Sequence, residues 1–202
     1  MSKISRFIVL IPHRDALGSI EEYRRRLFAA GFPGAYAFPV AAPLAMVSRP
    51  FSREELKALA RSLPRGKDGK ILGEGTALVR WPYAAGETTD EGAEPGLYSF
   101  FGIPLDFPVR EELFPQTARD KIIHIPGNAD SCPVLCTALV HSGMNSGEEQ
   151  QIREEAPVLS FRTASLANLA IRPLGAGDLD YSFEWKIGPH IWLPKLKRDH
   201  CL

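Results

Sequence analysis

The sequence predicts an α+β fold, and two observations carry this prediction. Several apolar runs have the length of a strand and stop at proline or glycine, as residues 7–12 do. Three other segments begin with a serine that is followed three residues later by glutamate, the capping box of a helix start. These segments begin at Ser19, Ser52 and Ser146.

The first strand and helix are expected within residues 7–31. The run Phe7–Pro12 is too short for a helix with a packed face and suits a buried strand. The capping box Ser19–Glu22 predicts a helix start, and Gly31 supplies a residue that tolerates a left-handed stop. The run Arg24–Arg26 is interpreted as a solvated helix face, because glutamates lie beside it.

A second strand and helix follow. The strand is expected over residues 38–47, and the capping box Ser52–Glu55 predicts the next helix start. Phe51 precedes the cap and is placed to pack on Leu56 as a hydrophobic staple. A further strand is expected over residues 70–81.

An acidic, glycine-rich run at residues 84–96 is the predicted boundary between two parts of one domain, 1–83 and 97–202. An aromatic-rich strand over 97–105 opens the second part, and its aromatic side chains are expected in a core or an interface. The remaining predicted elements are a short helix at 108–113, strands at 121–125 and 133–141, a helix capped by Ser146–Glu149, and strands at 158–171 and 181–193.

Composition limits the function classes. The 202 residues are 45% hydrophobic and 24% charged, enough for one sizeable core or two small lobes. The formal net charge of +0 gives no global field to attract duplex nucleic acid. No apolar run approaches a membrane span, so we expect a cytoplasmic protein without a membrane partner. Cys132, Cys136 and Cys201 are odd in number, which disfavours a disulfide framework. No close Cys/His pairs indicate a metal site, and no cofactor is expected.

One stretch, residues 42–52, carries a resemblance to a known family. It reads Ala-Pro-Leu-Ala-Met-Val-Ser-Arg-Pro-Phe-Ser and leads into the second capped helix. This form resembles the two-histidine phosphoesterase superfamily, the 2′-5′ RNA ligase-like and cyclic-phosphodiesterase proteins. The resemblance implies two pseudo-symmetric lobes of antiparallel-rich sheet, with helices on the outside and a central cleft. It also implies a His-x-Thr or His-x-Ser motif on a central strand of each lobe.

Both motifs lack their polar residues in this chain. The resemblance places the first at Pro43 and Ala45 and the second at Val134 and Cys136. In the family, one histidine acts as base and the other as acid across the phosphate, which proline and valine cannot do. The resemblance therefore implies binding of a nucleotide or another small phosphate-containing ligand without the usual two-histidine catalysis.

Displaced histidines could supply the missing chemistry. Thr137 and His141 lie four residues apart in one predicted strand, so their side chains share a face that could bind phosphate. His13 follows the first strand at an edge that often faces a cleft, and His124 lies among aliphatic residues. These four are the candidate catalytic residues. Each of the three histidines also has an ordinary explanation, as a turn flank for His141, a capped turn for His13 and a satisfied strand position for His124.

Two arginines join His141 and Thr137 as candidate ligand-binding residues. Arg49 follows the degenerate first motif and precedes a helix N-terminus, where a guanidinium can meet an anion. Arg14 follows His13 at the end of the first strand. The alternatives are a surface loop position for Arg49 and a local pair with Asp15 for Arg14.

Three functions remain open at this point. The first is a binding protein for a small phosphate-containing ligand. The second is a divergent RNA or cyclic-nucleotide phosphodiesterase, a hydrolase that uses the displaced histidines. The third is an interaction protein whose aromatic strand contacts another chain; the sequence leaves its oligomeric state open.

Overall fold

A computed structural model of the chain describes residues 4–66, 68–82, 97–126, 132–139, 145–173 and 183–194. Helices and antiparallel sheets are both present, which confirms the predicted α+β class. The described helices are α1 (Asp15–Ala29), α2 (Arg53–Ser62) and α3 (Ser146–Glu154), with 3-10 helices at Pro33–Tyr36, Glu111–Leu113 and Gln116–Lys121. The described strands are β1 (Ser5–Pro12), β2 (Ala42–Val47), β3 (Ile71–Gly73), β4 (Ala77–Pro82), β5 (Leu97–Pro104), β6 (Ile122–His124), β7 (Val134–Leu139), β8 (Leu159–Phe161), β9 (Ala164–Pro173), β10 (Phe183–Ile187) and β11 (Ile191–Trp192).

The strands form three antiparallel sheets within the described residues. The main sheet has the order β10-β9-β1-β2-β6, and β11 also pairs with β9. The second sheet has the order β4-β5-β7, and β3 pairs with β8 as a two-stranded sheet. Each of the three sheets joins a strand that precedes residues 83–96 to one that follows them, so pairing distant in sequence dominates the fold.

Apolar side chains fill the space between the main and second sheets. One buried cluster combines Phe7, Val9 and Leu169 of the main sheet with Val79 and Phe100 of the second. The opposite face of the main sheet belongs to another cluster, in which β1 packs with α2. Because β1 contributes to both clusters through alternate residues, it is buried on both faces, as its continuous apolar sequence predicts.

Helix α2 forms where the sequence predicts it. Ser52 Oγ accepts from the Glu55 amide at 3.2 Å, and the Glu55 carboxylate accepts from the Ser52 amide at 2.6 Å. Phe51 and Leu56 lie in the same buried cluster, consistent with the hydrophobic staple. Glu55 also forms an ion pair with Lys121 at 2.6 Å, with both side chains only 11% exposed.

Helix α1 differs from the prediction at its start and on one face. It begins at Asp15, so Ser19 lies inside the helix and the predicted capping box there is wrong. The end is as predicted, because Gly31 follows the helix with φ of +98°. Arg24 is only 3% exposed, which corrects the interpretation of Arg24–Arg26 as a wholly solvated face. Arg25 and Arg26 are exposed.

Three other boundaries shift for local reasons. The cap of α3 is Asn145, whose side chain accepts from the Gly147 and Glu148 amides, rather than Ser146. The strand expected over 70–81 divides into β3 and β4 around Gly75, which has φ of +73°. The strand expected over 38–47 begins only at Ala42.

The two caps give a matched stability prediction. We expect Ser52→Ala to lower the free energy of unfolding by about 1 kcal/mol, because the Glu55 amide loses its acceptor. Ser146→Ala should change it by less than about 0.5 kcal/mol, since Ser146 is exposed and is not the cap. Urea unfolding of the two variants measures both values. An equal loss in the two would contradict the assignment of Asn145 as the cap of α3.

Candidate functional site

A cavity of about 310 Å³ opens on the face of the main sheet that looks toward the second sheet. Cross-strand neighbours point to the same face of a sheet, so the register of β9 identifies this face. Ser165 lies opposite Ile11 of β1, Leu169 lies opposite Ile187 of β10, and Ile171 lies opposite Trp185. The cavity is lined from the sheet by Ile11, Pro12, His13, Trp185 and Ile187, and from the other side by Leu17, Glu21, Arg24, Tyr36, Phe38, Pro39 and Val40.

Arg24 is the buried charge of this cavity. Its Nε donates to the carbonyl of Ala35 and its Nη2 to the carbonyl of Phe38, both at 2.5 Å, and its guanidinium carbon lies 5.0 Å from the centre of the Tyr36 ring. No carboxylate of the described residues lies within 4.0 Å of it, although Glu21 lines the same cavity. Desolvation lowers the pKa of Arg24, as expected for a cation without a close counter-ion.

A chain of three polar side chains lies beside the cavity. Ser165 Oγ lies 2.8 Å from His13 Nε2 and 2.8 Å from His190 Nδ1. Ser165 is completely buried, His13 lines the cavity and His190 is exposed, in the connection between β10 and β11. The Trp192 ring lies against His13, with 4.5 Å between the ring centres. This hydrogen-bond chain of three side chains therefore leads from the cavity through the interior to the surface.

The surroundings of His13 favour its neutral form. Desolvation lowers its pKa below the ordinary value of 6.5, and the neighbouring charge of His190 lowers it further. The next residue, Arg14, has φ of +50° and ψ of −104°, an uncommon conformation for a residue with a side chain. This strained backbone lies directly at the entry to α1, next to the histidine that lines the cavity.

The lowered pKa predicts a stability that depends on pH. Below pH 6.5 the unfolded chain protonates His13 more readily than the folded protein does, so the free energy of unfolding falls as the pH falls through the folded pKa. Above pH 6.5 this contribution is complete. We expect the urea midpoint of His13→Gln to fall less steeply than that of the wild type between pH 7.5 and 5. Parallel curves for the two proteins would show that His13 does not titrate abnormally.

The structure brings only part of the predicted site together. His13 lines the cavity, and Arg14 is exposed beside it. Thr137 is buried and donates to the carbonyl of Phe101 at 3.0 Å. His124 lies in β6 at the far edge of the main sheet, opposite Met46. His141 lies outside the described residues.

Arg49 takes its ordinary structural role. It forms an exposed ion pair with Asp120 at 2.7 Å, and it does not line the cavity. A solvated pair of this kind contributes little to stability. Its guanidinium is therefore already occupied by a carboxylate where the sequence predicted an anion site.

The positions of the two degenerate motifs lie in the core. Pro43, Ala45, Val134 and Cys136 are all buried. Burial raises the pKa of the Cys136 thiol well above its ordinary value, so that this sulfur is held as a neutral thiol. The described residues thus present apolar packing at the positions to which the resemblance assigns proton transfer and phosphate binding.

Three residues of the site were not singled out by the sequence. Ser165 is one serine in a strand, His190 has only the weak context of Gly-Pro-His, and Arg24 lies in a charged run. For Arg24 a signal existed, because it lies four residues after Ile20 and three before Leu27, on the apolar side of the helix. For Ser165 and His190 no local signal existed.

Three further observations concern other kinds of site. Among the described residues, no three His, Cys, Asp or Glu side chains converge in a way that could hold a metal ion. No described helix has the length and apolar character needed to cross a membrane. A second cavity, of about 170 Å³, lies on the opposite face of the main sheet and is lined by Arg6 and Lys186 among others.

Comparison of the chain with protein-family models, with curated proteins and with solved structures found no match. The resemblance to the two-histidine phosphoesterases therefore stays a prediction from the sequence.

Proposed function

We propose that the protein binds a small phosphate-bearing ligand in the cavity above the main sheet, with Arg24 as the anchor of the anionic group. The observation that carries this proposal is a guanidinium that is 3% exposed, lines a cavity and has no carboxylate within 4.0 Å among the described residues. Burying a charge without a counter-ion is costly, so an anion that enters the cavity gains a strong interaction.

The guanidinium has donors left for a ligand. An arginine side chain carries five N–H groups, and the two hydrogen bonds to Ala35 and Phe38 use only two of them. Its Nη1 makes no hydrogen bond to the described residues. The two backbone carbonyls fix the plane of the guanidinium, so its free edge is oriented before a ligand arrives.

Aromatic side chains suit the remainder of such a ligand. Tyr36 and Trp185 line the cavity and are 44% and 45% exposed. Exposed rings beside a fixed cation can stack on a planar group such as a nucleobase. A nucleotide, with phosphate on Arg24 and its base against these rings, therefore matches the lining better than a small inorganic anion alone.

Binding without turnover is favoured over phosphodiesterase activity. Of the candidate catalytic residues that the structure describes, only His13 lines the cavity. Thr137 uses its hydroxyl in the core, and His124 lies at the far edge of the main sheet. A second histidine for the family's acid–base catalysis across a phosphate is thus absent from the described lining.

Calorimetric titration tests the proposal with AMP, 2′,3′-cyclic AMP, inorganic phosphate and, as the matched control, adenosine. We expect both nucleotides to bind and adenosine to bind at least about tenfold more weakly, the difference that a charge-assisted hydrogen-bond pair supplies. Equal affinity for AMP and adenosine, or no binding of any phosphate compound, would overturn the proposal. Hydrolysis of the cyclic nucleotide during the titration would favour the phosphodiesterase alternative.

A further inference from the structure

The chain formed by His13, Ser165 and His190 has a definite hydrogen-bond direction. The single proton of the Ser165 hydroxyl can be donated to one imidazole only, while the oxygen accepts from the other. When His13 is neutral and accepts at Nε2, His190 must donate from Nδ1. When His13 is protonated it donates from Nε2, and Ser165 then donates to an unprotonated Nδ1 of His190. The chain can therefore accommodate either protonation state of His13 by reversing.

We propose that His13 is the second anion-binding group of the cavity, and that ligand binding takes up one proton from solvent to form the His13 imidazolium, whose Nε2–H is accepted by the Ser165–His190 chain. This inference rests on the proposed function, because it concerns the same ligand. The cavity would then bind an anion with two positive charges, Arg24 and the His13 imidazolium, and the second would form only when the ligand is present.

The surroundings of His13 explain why its imidazole is expected to take up a proton only when a ligand binds. The titratable and charged groups that line its cavity are Glu21 and Arg24 of α1 and Tyr36 of the following 3-10 helix. From the other side it meets His190, and Ser165 is its only described hydrogen-bond partner on β9. Burial and the charge of His190 disfavour a cation at His13 in the free cavity, and a bound anion reverses that balance.

Trp192 favours the protonated form once it appears. Its ring centre lies 4.5 Å from that of His13, within the range in which an aromatic face attracts a cation. Trp192 lies directly opposite Ser165 in the β9–β11 pairing, so the same strand positions the stacking ring and the buried hydroxyl. Two features that surround His13, the reversible hydrogen-bond chain and the indole, thus both support an imidazolium.

The test is calorimetric titration with 2′,3′-cyclic AMP near pH 7 in three buffers that differ in ionisation enthalpy. Its phosphodiester does not titrate near neutral pH, so proton uptake must come from the protein. We expect an uptake of about half a proton or more per ligand in the wild type, as follows from a pKa that rises through neutral pH on binding. Ser165→Ala should reduce the uptake to less than half of the wild-type value, and His13→Gln should abolish it.

The matched control is Ser160→Ala, which should keep the proton uptake of the wild type. Ser160 is an exposed serine of β8 and is not part of the hydrogen-bond chain of His13, Ser165 and His190. Each outcome is decisive. No binding heat in the wild type, with no competition for AMP, means that the proposed function itself has failed. Binding heats that do not depend on the buffer would leave the proposed function intact but overturn the proposal of proton uptake. Proton uptake that persists in His13→Gln would overturn it in the same way.

Discussion

Replacing Gly102 by alanine is expected to destabilise the protein by about 3 kcal/mol or more, at the upper end of what overpacking costs. A Cβ at this position would lie 2.3 Å from the carbonyl oxygen of Leu135 and 2.6 Å from Cγ1 of Val134. Both contacts are far shorter than real Cβ contacts. The oxygen belongs to the backbone of β7, so relief requires the second sheet to separate at its β5–β7 pairing.

The strand register around Gly102 explains why moving β7 away from β5 costs free energy. The β5–β7 pairing shifts between Phe101 and Gly102, and β7 brings its backbone close to β5 at this irregularity. Leu135 and Cys136 on β7 are both buried in the core. Moving this part of β7 would therefore disturb the packing between the two sheets as well as the strand pairing.

Gly18→Ala is the matched control, measured with Gly102→Ala by urea unfolding. Gly18 lies within α1, and a Cβ there would meet nothing within 4 Å. We expect this variant to be more stable by about 0.5–1 kcal/mol, because alanine favours the helix and restricts the unfolded chain. If both variants unfold at the wild-type midpoint, the close approach of β5 and β7 is not present in solution.

The parts of the fold that were predicted correctly are those whose local and tertiary preferences agree. In α2 the capping box, the apolar spacing and the buried face all indicate the same boundaries. β1 is a continuous apolar run because it is buried on both faces. In α1 the local capping pattern and the helix boundary found in the fold disagree. The capping box at Ser19 is only a local pattern, and the helix starts earlier, at Asp15, directly after Arg14, whose positive φ no sequence rule indicates.

The site depends on pairing that sequence periodicity does not contain. His13 and Ser165 are 152 residues apart, and they meet only because β9 pairs with β1 in one particular register. His190 joins them because β11 pairs with the same strand. Each residue alone has a local context typical of a turn or strand, so the sequence assigned His13 a weak site role and Ser165 none.

Arg24 shows the opposite case, in which the sequence held a signal that charge patterning concealed. Three adjacent arginines with glutamates nearby indicate a wet helix face on average, but only one residue of such a run can occupy the apolar side. Spacing from Ile20 and Leu27 selects Arg24. A charged residue at an apolar position is informative because its burial requires a reason. Here the reason we infer is the ligand.

The second large expected effect is a change in ligand affinity when the charged residues of the cavity are replaced. Arg24→Lys should weaken the binding of AMP by about ten- to a hundredfold, since lysine keeps the charge but loses the planar set of donors. Lysine also lacks the planar pair of nitrogens, Nε and Nη2, with which Arg24 now serves two carbonyls, so some loss of stability is expected as well. Calorimetric titration at a temperature where circular dichroism shows a folded variant separates the two effects.

A second variant tests the same idea without risk to the core. Glu21 is exposed, lines the cavity and raises the pKa of Arg24 by its charge, partly offsetting the desolvation that lowers it. Glu21→Gln removes this negative charge from the path of the ligand, and we expect AMP to bind about threefold more tightly, the size of a solvated charge–charge interaction across several ångströms. The gain should shrink as salt is added, because the interaction is screened.

Glu22→Gln provides the control on the same helix. Glu22 is exposed and pairs with Arg25 at 2.8 Å, and it does not line the cavity. It changes the net charge of the protein by the same amount, so its effect on AMP affinity measures the contribution of the overall field alone. A gain in Glu21→Gln that Glu22→Gln does not share would locate the anion beside Arg24. Equal gains, together with an unchanged affinity in Arg24→Lys, would place the ligand elsewhere on the surface.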